Sequence, residues 1–158
     1  MKNIILLCLV TLLCVSGCST RSPEAALEEF YNYNEPGNES LDPLILAGKK
    51  AVPLVIEKVK DKNMPRRRLA IEFLGNGSYE QSLPVLKQIM TDDSEEAHFR
   101  ATALIAVFQI DEELGRRFAQ ENKDKADDLG EAARDILESK EYLRSRRTYF
   151  DALIGRHD

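Results

Sequence analysis

Few side chains in this 158-residue chain could do chemistry, and they are scattered. Of the two histidines, His98 and His157, neither has a metal-ligating neighbour four residues on. H-E-x-x-H, G-x-S-x-G, a phosphate-binding loop and clustered aspartates are all absent, so a zinc or nucleophilic enzyme is not expected, and no catalytic or metal-ligating residue is assigned. Cysteines stand at 8, 14 and 18 and nowhere later, which denies everything after Cys18 an internal disulfide, a thiolate metal site or a cysteine nucleophile. Arginines are the remaining candidates. Arg66-Arg67-Arg68 and Arg100 could hold an anion. They could equally form a structural ladder, with Arg67 and Arg100 paired to Asp61 and Asp93 in neighbouring turns. Arg66 and Arg68 cannot both face inward with Arg67, which leaves at least one of them for a partner. Arg144, Arg146 and Arg147 lie beside Tyr142, Tyr149 and Phe150; they make either a docking face or a capping helix whose aromatics cover the last hairpin.

Composition narrows the partners. Beyond residue 18 there are 21 basic and 27 acidic residues, because the full chain has 22 and 27 and only Lys2 precedes Cys18. The resulting −6 argues against nucleic acid, whose recognition needs a basic stripe. It also disfavours electrostatic attraction to anionic lipid. With no Trp and 7% aromatics, a sugar-stacking cleft is not expected. Ala, Leu, Glu, Lys and Arg dominate, all good helix formers.

The N-terminus has the parts of a secretory signal: Lys2, then an apolar run from Ile4 to Val15 broken only by Thr11, followed by small residues. That run is shorter than the roughly 20 residues that cross a bilayer. Val15-Ser16-Gly17-Cys18 resembles the lipobox of bacterial lipoproteins, although Leu is commoner where Val15 stands. An ordinary secretory signal or an uncleaved anchor is the alternative. The resemblance implies cleavage before Cys18, a diacylglycerol on its sulfur and a third acyl chain on its amino group. Residues 1–17 are then a signal peptide, 18–22 the lipidated cysteine and tether, and 23–158 the folded domain. Ser19, where an Asp would retain the protein at the inner membrane, implies the outer membrane facing the periplasm. Each buried methylene contributes about 0.8 kcal/mol, so three chains would anchor the protein stably and the covalent lipid is the only group expected.

The domain that follows reads as helices. Ser22-Pro23-Glu24 supplies an N-cap, a first-turn proline and an early acid for a helix over 23–33. NEPGNES is a loop, and a short helix over 41–47 begins with Asp42 and Pro43 and stops at Gly48. From there the chain repeats. AVPLVIEKV recurs as SLPVLKQIM, with Pro53 and Pro84 31 residues apart, while Arg67 and Arg100, like Ala70 and Ala103, are 33 apart. Such a period means stacked helical hairpins. The prolines fit a first turn, whose amides have no helical partner, if their helices begin near Lys50 and Gln81. Gly75-Asn76-Gly77 ends a helix and turns the chain. Phe99–Ile110 is apolar nearly all round, which predicts a helix buried on several sides in the middle of the stack. Asp111 caps a helix over 112–122, a charged loop follows, and two more helices cover 128–138 and 141–154. The last should bury Tyr142, Leu143, Tyr149, Phe150, Leu153 and Ile154. Asp92-Asp93 and Asp127-Asp128 read as helix caps.

PRRRLAIEFLGNGSYEQSLPVLKQIM resembles the short HEAT-like repeats found also in the lyases that attach bilins to phycobiliproteins, over roughly residues 45–138. The chain looks as well like a small family of bacterial lipoproteins with HEAT repeats. The resemblance implies an all-α fold: a short right-handed α-solenoid of HEAT-like hairpins, with a first helix at 23–33, repeats over about 41–138 and a C-terminal capping helix at about 141–154. It departs from that pattern in lacking a proline after Ile110 and in its shorter period.

The expected role is a non-catalytic, lipid-anchored scaffold or adaptor of the cell envelope. Its partner would be another envelope protein, bound on the second helices through Glu57, Lys87, Gln88, Arg116 and Arg117, with Arg66 and Arg68 as further contacts. The alternative is an accessory subunit or lyase-like enzyme of envelope assembly, suggested only by the lyase resemblance.

Overall fold

The computed structural model describes residues 21–34 and 38–155, without the side chains of 38 and 144–146. Cys18, its tether, His157 and the side chains of Arg144 and Arg146 lie outside that description. Among the described residues the chain is all-α, with nine helices and no strand. They are α1 (Pro23–Asn32), α2 (Asp42–Ala47), α3 (Val52–Lys58), α4 (Arg67–Asn76), α5 (Leu83–Thr91), α6 (Ala97–Ile110), α7 (Glu112–Asn122), α8 (Asp128–Leu137) and α9 (Tyr142–Leu153). Short 3-10 turns at Asn38–Leu41, Gly48–Lys50 and Glu80–Ser82 lead into α2, α3 and α5.

Local chemistry explains most boundaries. The Ser22 hydroxyl accepts the Ala25 amide at 3.2 Å, and Pro23, Pro43, Pro53 and Pro84 each sit in a first helical turn, where the missing N–H breaks no bond. Asp111 and Asp127 cap α7 and α8 by accepting the Leu114 and Gly130 amides at 2.9 and 3.1 Å. Asp92 and Asp93 do not cap α6: Asp92 folds back on Ser94, Asp93 pairs with Arg100, and Glu96 stands at the N-cap without a side-chain bond. Gly48, at φ 60°, turns the chain out of α2, a left-handed conformation that glycine takes without steric cost.

α6 is the hub. It packs against α4, α5, α7 and α8, and α7 packs on α8. Alternate helices α4, α6 and α8 thus lie side by side. Ala103, Leu104, Ala106, Val107 and Phe108 are buried around its circumference, which is why a helix with no amphipathic stripe is stable here. Burying each large apolar side chain contributes roughly 1.5–3 kcal/mol. Gly75-Asn76-Gly77 ends α4 as expected, with Gly77 at the C-cap, and Gly75 has a further role. It lies inside α4, and a Cβ there would come 2.6 Å from the Ala106 backbone, so its bareness lets α4 and α6 approach closely.

α1 packs along α2, and this pair joins the rest through α3 and α9. The C-terminal helix departs from expectation. α9 turns back across α2, α4 and α6. Phe150 packs on Phe73 and Tyr79 at ring distances of 6.1 and 6.3 Å, and the Tyr149 hydroxyl donates to Asp42 at 2.7 Å. Phe150 therefore covers α4 and Tyr149 reaches α2, while Tyr142 meets the last hairpin, donating to Asp135 on α8 at 2.5 Å. Leu143 and Phe150 are buried, whereas Tyr142 and Ile154 stay exposed, so α9 hides only one side.

Candidate functional site

The three consecutive arginines diverge. Arg66 adopts a left-handed backbone (φ 56°) just ahead of α4, and its guanidinium donates to the Tyr33 carbonyl beyond α1. Arg68 faces solvent and pairs with Glu72 at 2.9 Å. Only Arg67 goes inward. Its Nε donates to the Val59 carbonyl at 2.7 Å, and its two terminal nitrogens donate to the two Glu95 oxygens, each at 2.7 Å. The Phe99 ring lies 4.8 Å from the guanidinium carbon, adding a cation–π contact.

Glu95, not Asp61, is thus the partner of Arg67. Asp61 is exposed in the tight turn after α3, where its carboxylate accepts the Asn63 amide at 2.9 Å. The longer Glu95 side chain reaches Arg67 from the turn before α6. Arg100 does pair with Asp93, at 2.9 Å, while its Nε donates to the Met90 carbonyl at 3.0 Å. The two Nε contacts are equivalent. Val59 and Met90 lie at the ends of α3 and α5, where helix carbonyls lack intrahelical donors.

A third member went unrecognised in the sequence. Arg134 on α8 donates to the carbonyls of Lys123 and Lys125, past the end of α7, at 2.6 and 3.1 Å. It stands 34 residues after Arg100, so the period itself could have found it. A second ladder runs alongside. Gln109 donates to the buried Asn76 carbonyl oxygen at 2.9 Å and to the Leu143 carbonyl at 3.0 Å, spacings of 33 and 34 residues.

The residues expected to meet a partner fall into two groups. Glu57 on α3, Lys87 and Gln88 on α5 and Arg117 on α7 are exposed. Arg116 is engaged: it pairs with Glu112 at 3.0 Å and donates to the Ile136 carbonyl and the Ser139 hydroxyl at 3.2 and 2.9 Å, so it ties α7 to α8.

Between α4, α6 and the start of α9 lies a cleft of about 190 Å³, lined by Arg68, Glu72, Asn76, Thr102, Gln109 and Tyr142. Ligand sites usually offer about 300–1,000 Å³. Here the inner amides bond each other, as above. A wider hollow of about 440 Å³ opens between α6, α7 and α9 beside Gln109, Glu112, Arg147 and Asp151. Among the described residues, no three His, Cys, Asp or Glu side chains group as a metal site, and no helix is long and apolar enough to cross a membrane.

No family model, curated protein or solved structure matches the chain. Its geometry alone therefore carries the functional reading.

Electrostatics separate the turns from the clefts. Asp92 accepts the hydroxyl and amide of Ser94 and pairs with Lys62 at 3.0 Å. These contacts hold its carboxyl well below the usual range, at about 2, by favouring the charged form. Partial burial and the bond to Asp42 push the Tyr149 phenol up to about 12. Both shifts belong to groups that fasten one segment to another.

Proposed function

We propose that this chain is a lipid-anchored envelope protein, tethered through Cys18 to the outer membrane and facing the periplasm, that acts as a non-catalytic protein-binding scaffold. In this reading the helices form a short right-handed α-solenoid of HEAT-like hairpins. The observation that carries it is the repeated fastening. Arg67, Arg100 and Arg134, at 33- and 34-residue intervals, each close carbonyls at the end of the preceding helix. A chain that rebuilds one hairpin joint at a fixed period is organised as a stack, and stacks offer their outer helices as an extended face. Glu57, Lys87, Gln88 and Arg117, on α3, α5 and α7, are exposed.

Photocrosslinking in native membranes tests this. A photoreactive residue at Lys87 or Arg117 should each give the same discrete protein adduct, and one at Glu28 on α1 should not. The adduct should vanish in a Cys18→Ala chain that no longer sediments with membranes. Equal adducts from all three positions, or none from any, would reject the scaffold reading.

A further inference from the structure

Leu46 is 59% exposed at the end of α2, which is unusual for a large aliphatic side chain in a domain whose other leucines are mostly buried. Two exposed lysines, Lys49 and Lys50, follow directly in the 3-10 turn. From Leu46 to Lys62 the chain carries five lysines (49, 50, 58, 60, 62) against Glu57 and Asp61, a local charge of 5 − 2 = +3 in a protein whose net charge is −5. Lys60 and Lys62 are partly engaged with Glu57 and Asp92, whereas Lys49 stands exposed beside Leu46.

Position makes this corner different from other exposed apolar residues. α2 packs along α1, and α1 starts at Pro23, five residues after Cys18. Five residues reach at most about 17 Å, and the ten-residue α1 adds about 15 Å. If Cys18 is held by acyl chains, the corner formed by α2 and its following turn is within reach of the lipid headgroups. A lone aliphatic side chain flanked by lysines suits that zone: the leucine enters the acyl boundary while the ammonium groups meet phosphate.

We propose that Leu46, with Lys49 and Lys50, is a membrane-contacting corner that seats the domain on an anionic phospholipid surface in one orientation. This rests on the Cys18 anchor proposed above and deepens it. Acyl chains supply the attachment. The corner decides which way the domain faces, because the acidic remainder is repelled by the same lipids.

The test uses the acylated mature protein purified from native membranes and reconstituted into phosphatidylethanolamine vesicles containing phosphatidylglycerol. A Leu46→Cys chain carries an environment-sensitive fluorophore there, and a Lys87→Cys chain is the comparison. The expected result is blue-shifted emission and strong quenching by doxyl-labelled lipid at position 46, with neither at 87. Lys49→Glu/Lys50→Glu in the Leu46→Cys chain should reduce the quenching at least threefold. Water-like emission at 46 with Cys18 acylated overturns the inference alone. Shielding from a water-soluble quencher without lipid quenching assigns the corner to a protein and also overturns it. Labelling of Cys18 in the unmodified chain, which requires a free thiol, overturns the anchor and this inference together. Leu46 is exposed, so its replacement does not endanger folding; circular dichroism of each variant checks this.

Discussion

Arg67 and Arg100 occupy equivalent places, and their Nε atoms make equivalent bonds to the carbonyls of Val59 and Met90. What closes the far side of each guanidinium differs. The Glu95 side chain is only 5% exposed and grips Arg67 with both oxygens; the Asp93 side chain is 88% exposed and touches Arg100 with one. A buried, bidentate pair is short and weakly screened, and removing one member strands the other charge in a low-dielectric site. A pair with one partner in water gains little. Repeats can therefore keep a residue and its backbone contact while the energetic weight shifts entirely to the neighbourhood.

Breaking each lock in turn measures that shift. Arg67→Met should have the largest effect, lowering stability by about 3–5 kcal/mol because Glu95 loses its main partner. Urea unfolding of the purified protein checks it. Arg100→Met should cost about 1–2 kcal/mol, mostly the unmet Met90 carbonyl. If the two losses were equal, the contrast between the joints would be wrong.

A fastening without a cation offers a third term. Tyr149→Phe removes the bond to Asp42 and should cost about 1 kcal/mol near neutral pH. The folded phenol titrates at about 12, above its ordinary 10.0. Its contribution is thus fully present below pH 10 and lost as pH rises toward 12. Melting curves of wild type and variant should converge across that window. A difference that stays constant through pH 12 would mean the phenol does not hold α9 to α2. Smallest of all, Asp93→Asn should change stability by under about 0.5 kcal/mol, as measured in the same urea titrations.

Much of this arrangement was readable in the sequence. The prolines at 53 and 84, the caps at Ser22, Asp111 and Asp127 and the all-round apolar α6 follow from local chemistry and periodicity. Arg67 as an inward residue followed from the 33-residue repeat. Its partner did not, because acids stand in the turns on both sides of Arg67, and only the three-dimensional reach of a longer side chain separates Asp61 from Glu95. The helix end at Gly75-Asn76-Gly77 was legible, but the close approach of α6 to Gly75 was not, since nothing local reveals what approaches a glycine. The path of α9 was likewise invisible. Its aromatics require cover, but whether α8 or α4 supplies it depends on a turn near Ser139, a serine held in a left-handed conformation (φ 57°) that composition does not signal. The exposed corner at Leu46 was hidden for a related reason: in a helix reading, a leucine beside Leu44 and Ile45 looks buried.

The central claim, one joint used repeatedly with unequal partners, is tested most directly by double-mutant cycles on Arg67–Glu95 and Arg100–Asp93, read as coupling free energies from urea unfolding. The account predicts a coupling of about 2 kcal/mol or more for the first pair and under about 0.5 kcal/mol for the second. Couplings of equal size, or a larger one for Arg100–Asp93, would contradict it.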